Sequence, residues 1–238
     1  MQLFYNPDIS KEHNQFVFDK TESRHIIKVL RKKQGDTLFI TNGKNELYTV
    51  EILIANDKKC LVAIKNVEKK AKPWSYYLHI AIAPTKNNDR FEWFLEKATE
   101  IGIDEITPII CANSERTVIK TERMEKIVQS AMKQSLKFTL PKLNHSVKFS
   151  EFVNRDFQSD LFIAHCEDLN KNSFANEINH NAKIVLLVGP EGDFNISEIE
   201  MALSKMFKPV SLGNSRLRTE TAGIVATQSI ALLHELNS

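Results

Sequence analysis

Hydrophobic positions along this chain fall first into short β-type runs and then into an alternation of buried-strand and helix patterns. In the early part, Ile26, Ile27, Val29 and Leu30 form an apolar side opposite Arg24, Lys28, Arg31, Lys32 and Lys33. That spacing predicts a basic helix from Thr21, ended by Gly35-Asp36. Strand-type runs follow at 37–41, 47–55 and 60–67, and the turn pairs Asn42-Gly43 and Asn56-Asp57 separate them. A helix with short antiparallel strands predicts a small barrel over residues 1–70. Residues 68–73 are charged, poor in apolar side chains and closed by Pro73, so they read as a linker to a second domain over 74–238.

The second domain opens with an apolar run at 76–83, broken by Pro84-Thr85. A helix is predicted over 89–101, with Phe91, Leu95, Ala98 and Ile101 on one face and Gly102 as its stop. A strand at 103–110, a polar loop at 111–121 and a helix marked by Met124, Ile127, Val128, Ala131 and Ser135 come next, then a strand at 161–165. Residues 184–188 form an unbroken apolar run, as expected of a strand covered on both faces. Ser197 and Glu200 have capping-box spacing, which predicts a helix from about Glu198 to Lys208-Pro209. A brief strand at 210–212 leads through a loop at 213–219 into a C-terminal helix whose small-to-apolar face holds Ala222, Val225, Ala226, Ser229, Leu233 and Leu236. Repeated strand–helix alternation predicts an α/β fold with a mostly parallel sheet.

Composition narrows the class. The chain has 238 residues, 42% of them hydrophobic, with no long uncharged apolar run, which points to a soluble protein. Polar and charged residues are scattered through residues 1–18, so no signal peptide is expected. Cys60, Cys111 and Cys166 are widely spaced and read as reduced thiols of a cytoplasmic protein. The net charge of +2 conceals an asymmetry: residues 1–73 carry 14 Lys/Arg against 9 Asp/Glu, and the remainder 18 against 21. An N-terminal excess of cations suits contact with a polyanion. Arg24, Lys28 and Arg31 then touch phosphate, or they form an ordinary solvated helix face.

Candidate chemistry lies in the loops after the strands. No Walker loop, GxGxxG, serine elbow or Cys/His pair of known spacing is present. His25, His79, His145, His165 and His180 lack ligand spacing, so no metal is expected. What stands out are two glycine-bearing loops, Gly189 to Gly192 and Leu212-Gly213, able to hold a flat hydrogen-bonding ligand such as adenine. Arg216, Arg218, Thr219, Glu220 and Thr221 crowd the start of the last helix. They read either as an anion site, or as a threonine cap with solvated arginines.

The stretches GPEGDF and SLGNSRLRTETA, with DRFEWFLEKATEIG and the SER triplet at 114–116, resemble the family that N3-methylates a uridine of 16S ribosomal RNA, within the SPOUT methyltransferases. The resemblance spans the chain. It implies a PUA-like N-terminal β-barrel, a SPOUT α/β domain with a deep trefoil knot, S-adenosyl-L-methionine as methyl donor, a homodimer, and 16S rRNA in the small ribosomal subunit as partner, with no membrane. By that similarity Val188, Gly189, Glu191, Gly192, Leu212, Gly213, Leu217 and Ala222 contact the cofactor, while Lys86, Arg90, Arg116 and Arg218 bind RNA backbone or orient the uracil. Asp193 stands where glycine is common, Lys133 where an acidic residue is common, and Asn214–Leu217 displaces an arginine from its usual place.

In-line methyl transfer rests on alignment, and the proton on uracil N3 must leave. Glu220 is the candidate base and Arg218 the candidate stabiliser of charge on the uracil oxygen. A first-turn carboxylate favoured by the helix dipole accounts for Glu220 equally well. Ribose 2′-O methylation on the same fold and a non-catalytic assembly factor are the competing expectations.

Overall fold

The computed structural model describes residues 1–167, 171–179 and 182–237; His180 lies outside them. The chain divides into two compact units, residues 1–73 with 132–140, and residues 74–131 with 141–238.

In the first unit, β1 (Leu3–Tyr5), β2 (Gln15–Val17), β3 (Thr37–Thr41), β4 (Glu46–Ile54) and β5 (Leu61–Lys69) form one curled sheet in the order β1-β3-β4-β5-β2. β1 runs parallel to β3 and the other pairs are antiparallel. The β3–β4 hairpin turns where Asn42 Oδ1 accepts the Lys44 N–H at 2.9 Å and Gly43 adopts φ +74°, the chemistry that its Asn-Gly pair predicts. Inward side chains, among them Phe4, Ile26, Ile40, Tyr48, Val50, Ile52 and Val62, make the core. Residues 132–140 are fastened to this sheet: Phe138 O accepts from Asn45 N (2.9 Å) and Thr41 Oγ1 (3.3 Å), and Gly43 O accepts from Leu140 N (2.9 Å).

The basic helix is shorter than its pattern. α1 (Lys20–Arg24), capped by Asp19, passes into a π-helical turn at His25–Val29 where Leu30 N–H bonds His25 O at 2.9 Å. Widening the turn shifts the side chains around the axis. Ile26 is buried, but Val29 points to solvent instead of joining the apolar face. Arg24, Lys28 and Arg31 are exposed, and Lys28 forms a surface ion pair with Asp57 at 3.6 Å.

The second unit is an eight-stranded parallel sheet. Its strands are β6 (Tyr77–Ile82), β7 (Glu105–Ile110), β8 (Lys142–Leu143), β9 (Val147–Lys148), β10 (Asp160–Ala164), β11 (Asn172–Ser173), β12 (Lys183–Val188) and β13 (Lys208–Ser211). The order is β11-β13-β10-β12-β6-β7-β8, with β9 also on β7. β6 and β12 are buried along nearly their whole length, as their unbroken apolar runs require. The helices are α2 (Asn88–Ile101), α3 (Thr121–Gln134), α4 (Phe149–Val153), α5 (Phe174–Glu177), α6 (Ile196–Ser204) and α7 (Thr219–Leu236). α2 and α7 pack so closely that a Cβ on Gly223 would come within 2.5 Å of the Phe94 ring. No helix among the described residues is long and apolar enough to cross a membrane.

α6 corrects the expected capping box. Asn195, not Ser197, is the cap: its Oδ1 accepts Glu198 N–H at 2.8 Å, and Glu198 Oε2 accepts Asn195 N–H at 3.0 Å. The helix ends at Ser204, four residues earlier than expected, because Met206 turns left-handed (φ +66°). Nor does a threonine cap α7. Arg218 occupies the cap position without a side-chain bond, and Thr219 is already helical and buried.

Candidate active site at the carboxyl edge of the parallel sheet

In a parallel sheet the loops after the strands converge at one edge, and ligands bind there. Four loops meet at this edge: 83–87 after β6, 111–120 after β7, 189–195 after β12 and 212–218 after β13. Strand register aligns the ends of β6, β12, β10 and β13, since Val188 of β12 pairs with Ile82 of β6 and with Ala164 of β10, and Ala164 also pairs with Val210 of β13.

Three of the loops are tied together by side chains. Glu191 Oε1 accepts the Lys86 N–H at 2.9 Å. Arg116 donates from Nε to Thr85 O (3.1 Å) and from its terminal nitrogen to Lys86 O (2.5 Å). Asn113 Nδ2 donates to the carbonyls of Gly192 and Asp193, both at 3.1 Å. Glu198 Oε1 accepts Ala112 N–H at 2.8 Å, so the α6 capping carboxylate also anchors the loop after β7. Arg116, expected to meet RNA, thus spends its guanidinium on backbone carbonyls. Lys86 extends into solvent beside Glu115 at 2.7 Å.

The glycine-bearing loop is shaped by crowding and by Asp193. A Cβ on Gly189 would lie 3.1 Å from the Phe194 ring and one on Gly192 3.2 Å from Asn113 Cβ, both tighter than an ordinary contact. Asp193 adopts φ +61°, the conformation that a glycine takes without cost. Its carboxylate compensates: Oδ2 accepts Cys166 N–H (2.6 Å) and Oδ1 accepts Phe194 N–H (2.8 Å). The departure from glycine therefore keeps the turn and adds a tie to the chain after β10.

The loop after β13 is the most open. Gly213 has φ +137° with nothing near its missing side chain, and residues 213–216 are exposed. Leu212, Leu217 and Ala222 are half-buried, Val188 and Gly189 are buried, and Arg218 is exposed. Glu220 is only 5% exposed. Its Oε1 lies 3.8 Å from Arg90 Nε, and its Oε2 has no hydrogen-bond partner among the described residues. A buried carboxylate oxygen without a partner is costly, and a ligand N–H would satisfy it.

The expected cofactor residues thus lie in the loops after β12 and β13 and the first turn of α7. Lys86, Arg90, Arg116, Arg218 and Glu220 belong to the same unit, whereas Arg24, Lys28 and Arg31 belong to the first. Asn113 had no place in the sequence expectations, and Glu198 and His165 figured there only as a helix start and as a histidine without ligand spacing. The Asn195-x-x-Glu198 spacing was a visible signal, but the bond from Glu198 to Ala112 had none. Among the described residues, no group of His, Cys, Asp or Glu could hold a metal ion.

A parallel α/β sheet with small-residue loops at its carboxyl edge has the layout of a ligand-binding α/β domain. Residues 72–231 match the RNA methyltransferase domain family, and residues 18–65 match the RNA methyltransferase PUA domain. The ribosomal RNA small subunit methyltransferase E of Rickettsia conorii is 30% identical over 88% of this chain and 86% of its own length. A crystal structure of a probable rRNA-methyltransferase from Porphyromonas gingivalis is 41% identical with a TM-score of 0.92, covering both chains completely. That of a ribosomal RNA small subunit methyltransferase E from Neisseria gonorrhoeae bound to S-adenosyl methionine is 26% identical with a TM-score of 0.82, covering 98% of both chains. The chain belongs to the ribosomal RNA small subunit methyltransferase E family.

Proposed function

We propose that this protein methylates N3 of a uridine in 16S rRNA, with S-adenosyl-L-methionine as methyl donor. Support comes from the family, from the methyl donor bound to the Neisseria relative, and above all from the partnerless buried Oε2 of Glu220. The donor's residues on this chain would be Val188, Gly189, Glu191 and Gly192 in one loop, and Leu212, Gly213, Leu217 and Ala222 around the other. Small residues there let backbone N–H and C=O groups reach a flat base. Glu191 has one carboxylate oxygen committed to Lys86 N–H, which leaves the other for a hydroxyl.

When bound, the donor supplies an activated methyl group that passes to the N3 lone pair while the C–S electron pair returns to sulfur. The chain's part is to hold the uracil in line and to take the proton. Glu220 Oε2 accepts N3–H, Arg90 faces the carboxylate's other oxygen, and Arg218 stabilises charge on a uracil carbonyl oxygen. Exclusion of water around Glu220 strengthens each of these contacts.

The first unit offers Arg24, Lys28 and Arg31 to RNA phosphate and the second carries the transfer chemistry; the chain acts as a homodimer in the cytoplasm. Leu232 and Leu236 on α7, 47% and 73% exposed, are apolar surface that a second copy would cover. Light scattering on the purified chain checks the dimer. Incubation of unmodified small subunits with labelled donor and nucleoside analysis checks the reaction: N3-methyluridine supports it, and a 2′-O-methyl nucleoside overturns the choice of atom.

A further inference from the structure

His165 is buried, 8% exposed, and neither ring nitrogen has a hydrogen-bond partner among the described residues. It follows β10 directly, and β10 lies between β12 and β13. Ala164 pairs with Val188 on one side and with Val210 on the other. His165 is therefore the residue beside Gly189 and Ser211, the points where the two small-residue loops leave the sheet. The backbone here is held firmly. His165 O accepts from Lys171 Nζ at 2.8 Å, and Cys166 N–H is bound by Asp193 at 2.6 Å.

A half-satisfied imidazole is unusual in a packed interior, and two orphaned nitrogens are more so. Stability does not require it: an apolar ring would fill the same space without the desolvation cost. Burial, and then Lys171, pull the imidazole pKa down, while Asp193 and Glu167 act in the opposite direction. The uncharged ring is thereby favoured, and it offers one N–H donor and one nitrogen acceptor. A neutral ring also avoids repelling a sulfonium.

We infer that His165 is a third binding element of the methyl-donor site, its imidazole hydrogen-bonding the nucleoside portion of the donor between the loops after β12 and β13. The inference rests on the methyl-donor reading above. Asp193 serves it indirectly, as a positioning residue that fixes the chain at Cys166.

The test is calorimetric titration of the full-length chain with S-adenosylhomocysteine, with the melting temperature of the ligand-free protein measured in parallel. For H165F the dissociation constant should rise at least tenfold while the ligand-free melting temperature stays level or rises. H165N or H165Q, which return a donor at the position of one ring nitrogen, should recover part of the affinity. Unchanged affinity in H165F, with normal binding by the parent chain, would sink this inference and leave the methyl-donor reading standing. A lower ligand-free melting temperature in all three variants, with affinity kept, would make His165 structural. A parent chain that binds no S-adenosylhomocysteine would overturn both.

Discussion

Glu220 and Arg90 face each other across the start of α7 and α2, with Glu220 Oε1 3.8 Å from Arg90 Nε and the carboxylate's second oxygen buried and unpartnered. Replacing the carboxylate by an amide keeps its shape and removes its basicity. Glu220→Gln should therefore lower kcat by about 100-fold or more, with the affinity for S-adenosylhomocysteine unchanged. Arg90→Met should reduce kcat as well, since it leaves a buried carboxylate uncompensated. Single-turnover methyl transfer with parallel calorimetry checks both, and full turnover in Glu220→Gln would remove it as the base.

Asp193 allows a rank-order prediction. Asp193→Ala keeps the left-handed backbone but loses the bonds to Cys166 and Phe194 N–H. Asp193→Gly loses the same bonds yet relieves a conformation costing a non-glycine residue roughly 1–2 kcal/mol. Asp193→Gly should therefore be more stable than Asp193→Ala by about 1 kcal/mol. Denaturant unfolding of the two variants gives the order.

Gly223 has no such freedom. Its Cβ would meet the Phe94 ring at 2.5 Å and Ile82 at 3.1 Å, so α2 and α7 could not keep their spacing. Gly223→Ala should destabilise by about 1–3 kcal/mol, although alanine favours helix. Recovery of stability in the double variant Gly223→Ala/Phe94→Leu would confirm that the ring is the obstacle.

Acid should weaken the second unit through His79 and Glu105. Burial brings the His79 pKa from 6.5 down to about 4, against the pull of Glu105. Glu105, which burial alone would raise, is held at about 2 by bonds from Asn144 and Tyr77 and by charge. The 3.9 Å contact between the two is thus no ion pair at neutral pH, because the imidazole is uncharged. The unfolded chain binds more protons than the folded one in both cases. Stability is lost as pH falls from about 6.5 towards 4 for His79, and from about 4.5 towards 2 for Glu105. The unfolding free energy from urea titrations should fall by on the order of 3 kcal/mol between pH 7 and 4, and its slope against pH should flatten in His79→Phe.

Much of this fold was legible in the sequence, and the misses have identifiable causes. Long apolar runs such as residues 183–188 and the helix stopped by Gly102 appear within a few residues of where their pattern puts them. β1 and β2 have three residues each, too short to show a period, and β1 pairs with a strand more than thirty residues away. The π turn moved Val29 off the apolar face because periodicity presumes regular α geometry. Residues 132–140 group with the first unit through bonds to Thr41, Gly43 and Asn45 that no local pattern announces. At the site, the loop glycines and Glu220 stood out by pattern, and Glu220 lies buried in the first turn of α7. The tie of Glu198 to Ala112, 86 residues apart, and the orphaned ring of His165 exist only once the sheet order brings the loops together.

The chemistry at stake is base methylation with a buried carboxylate as proton acceptor. Its most direct measurement is methyl transfer from labelled S-adenosyl-L-methionine to unmodified small ribosomal subunits, followed by mass analysis of the nucleosides, for the parent chain and for Glu220→Gln side by side. The parent should yield N3-methyluridine, and the variant should lose about 100-fold or more of that rate. A 2′-O-methyl nucleoside, or equal N3-methyluridine from both proteins, would contradict it.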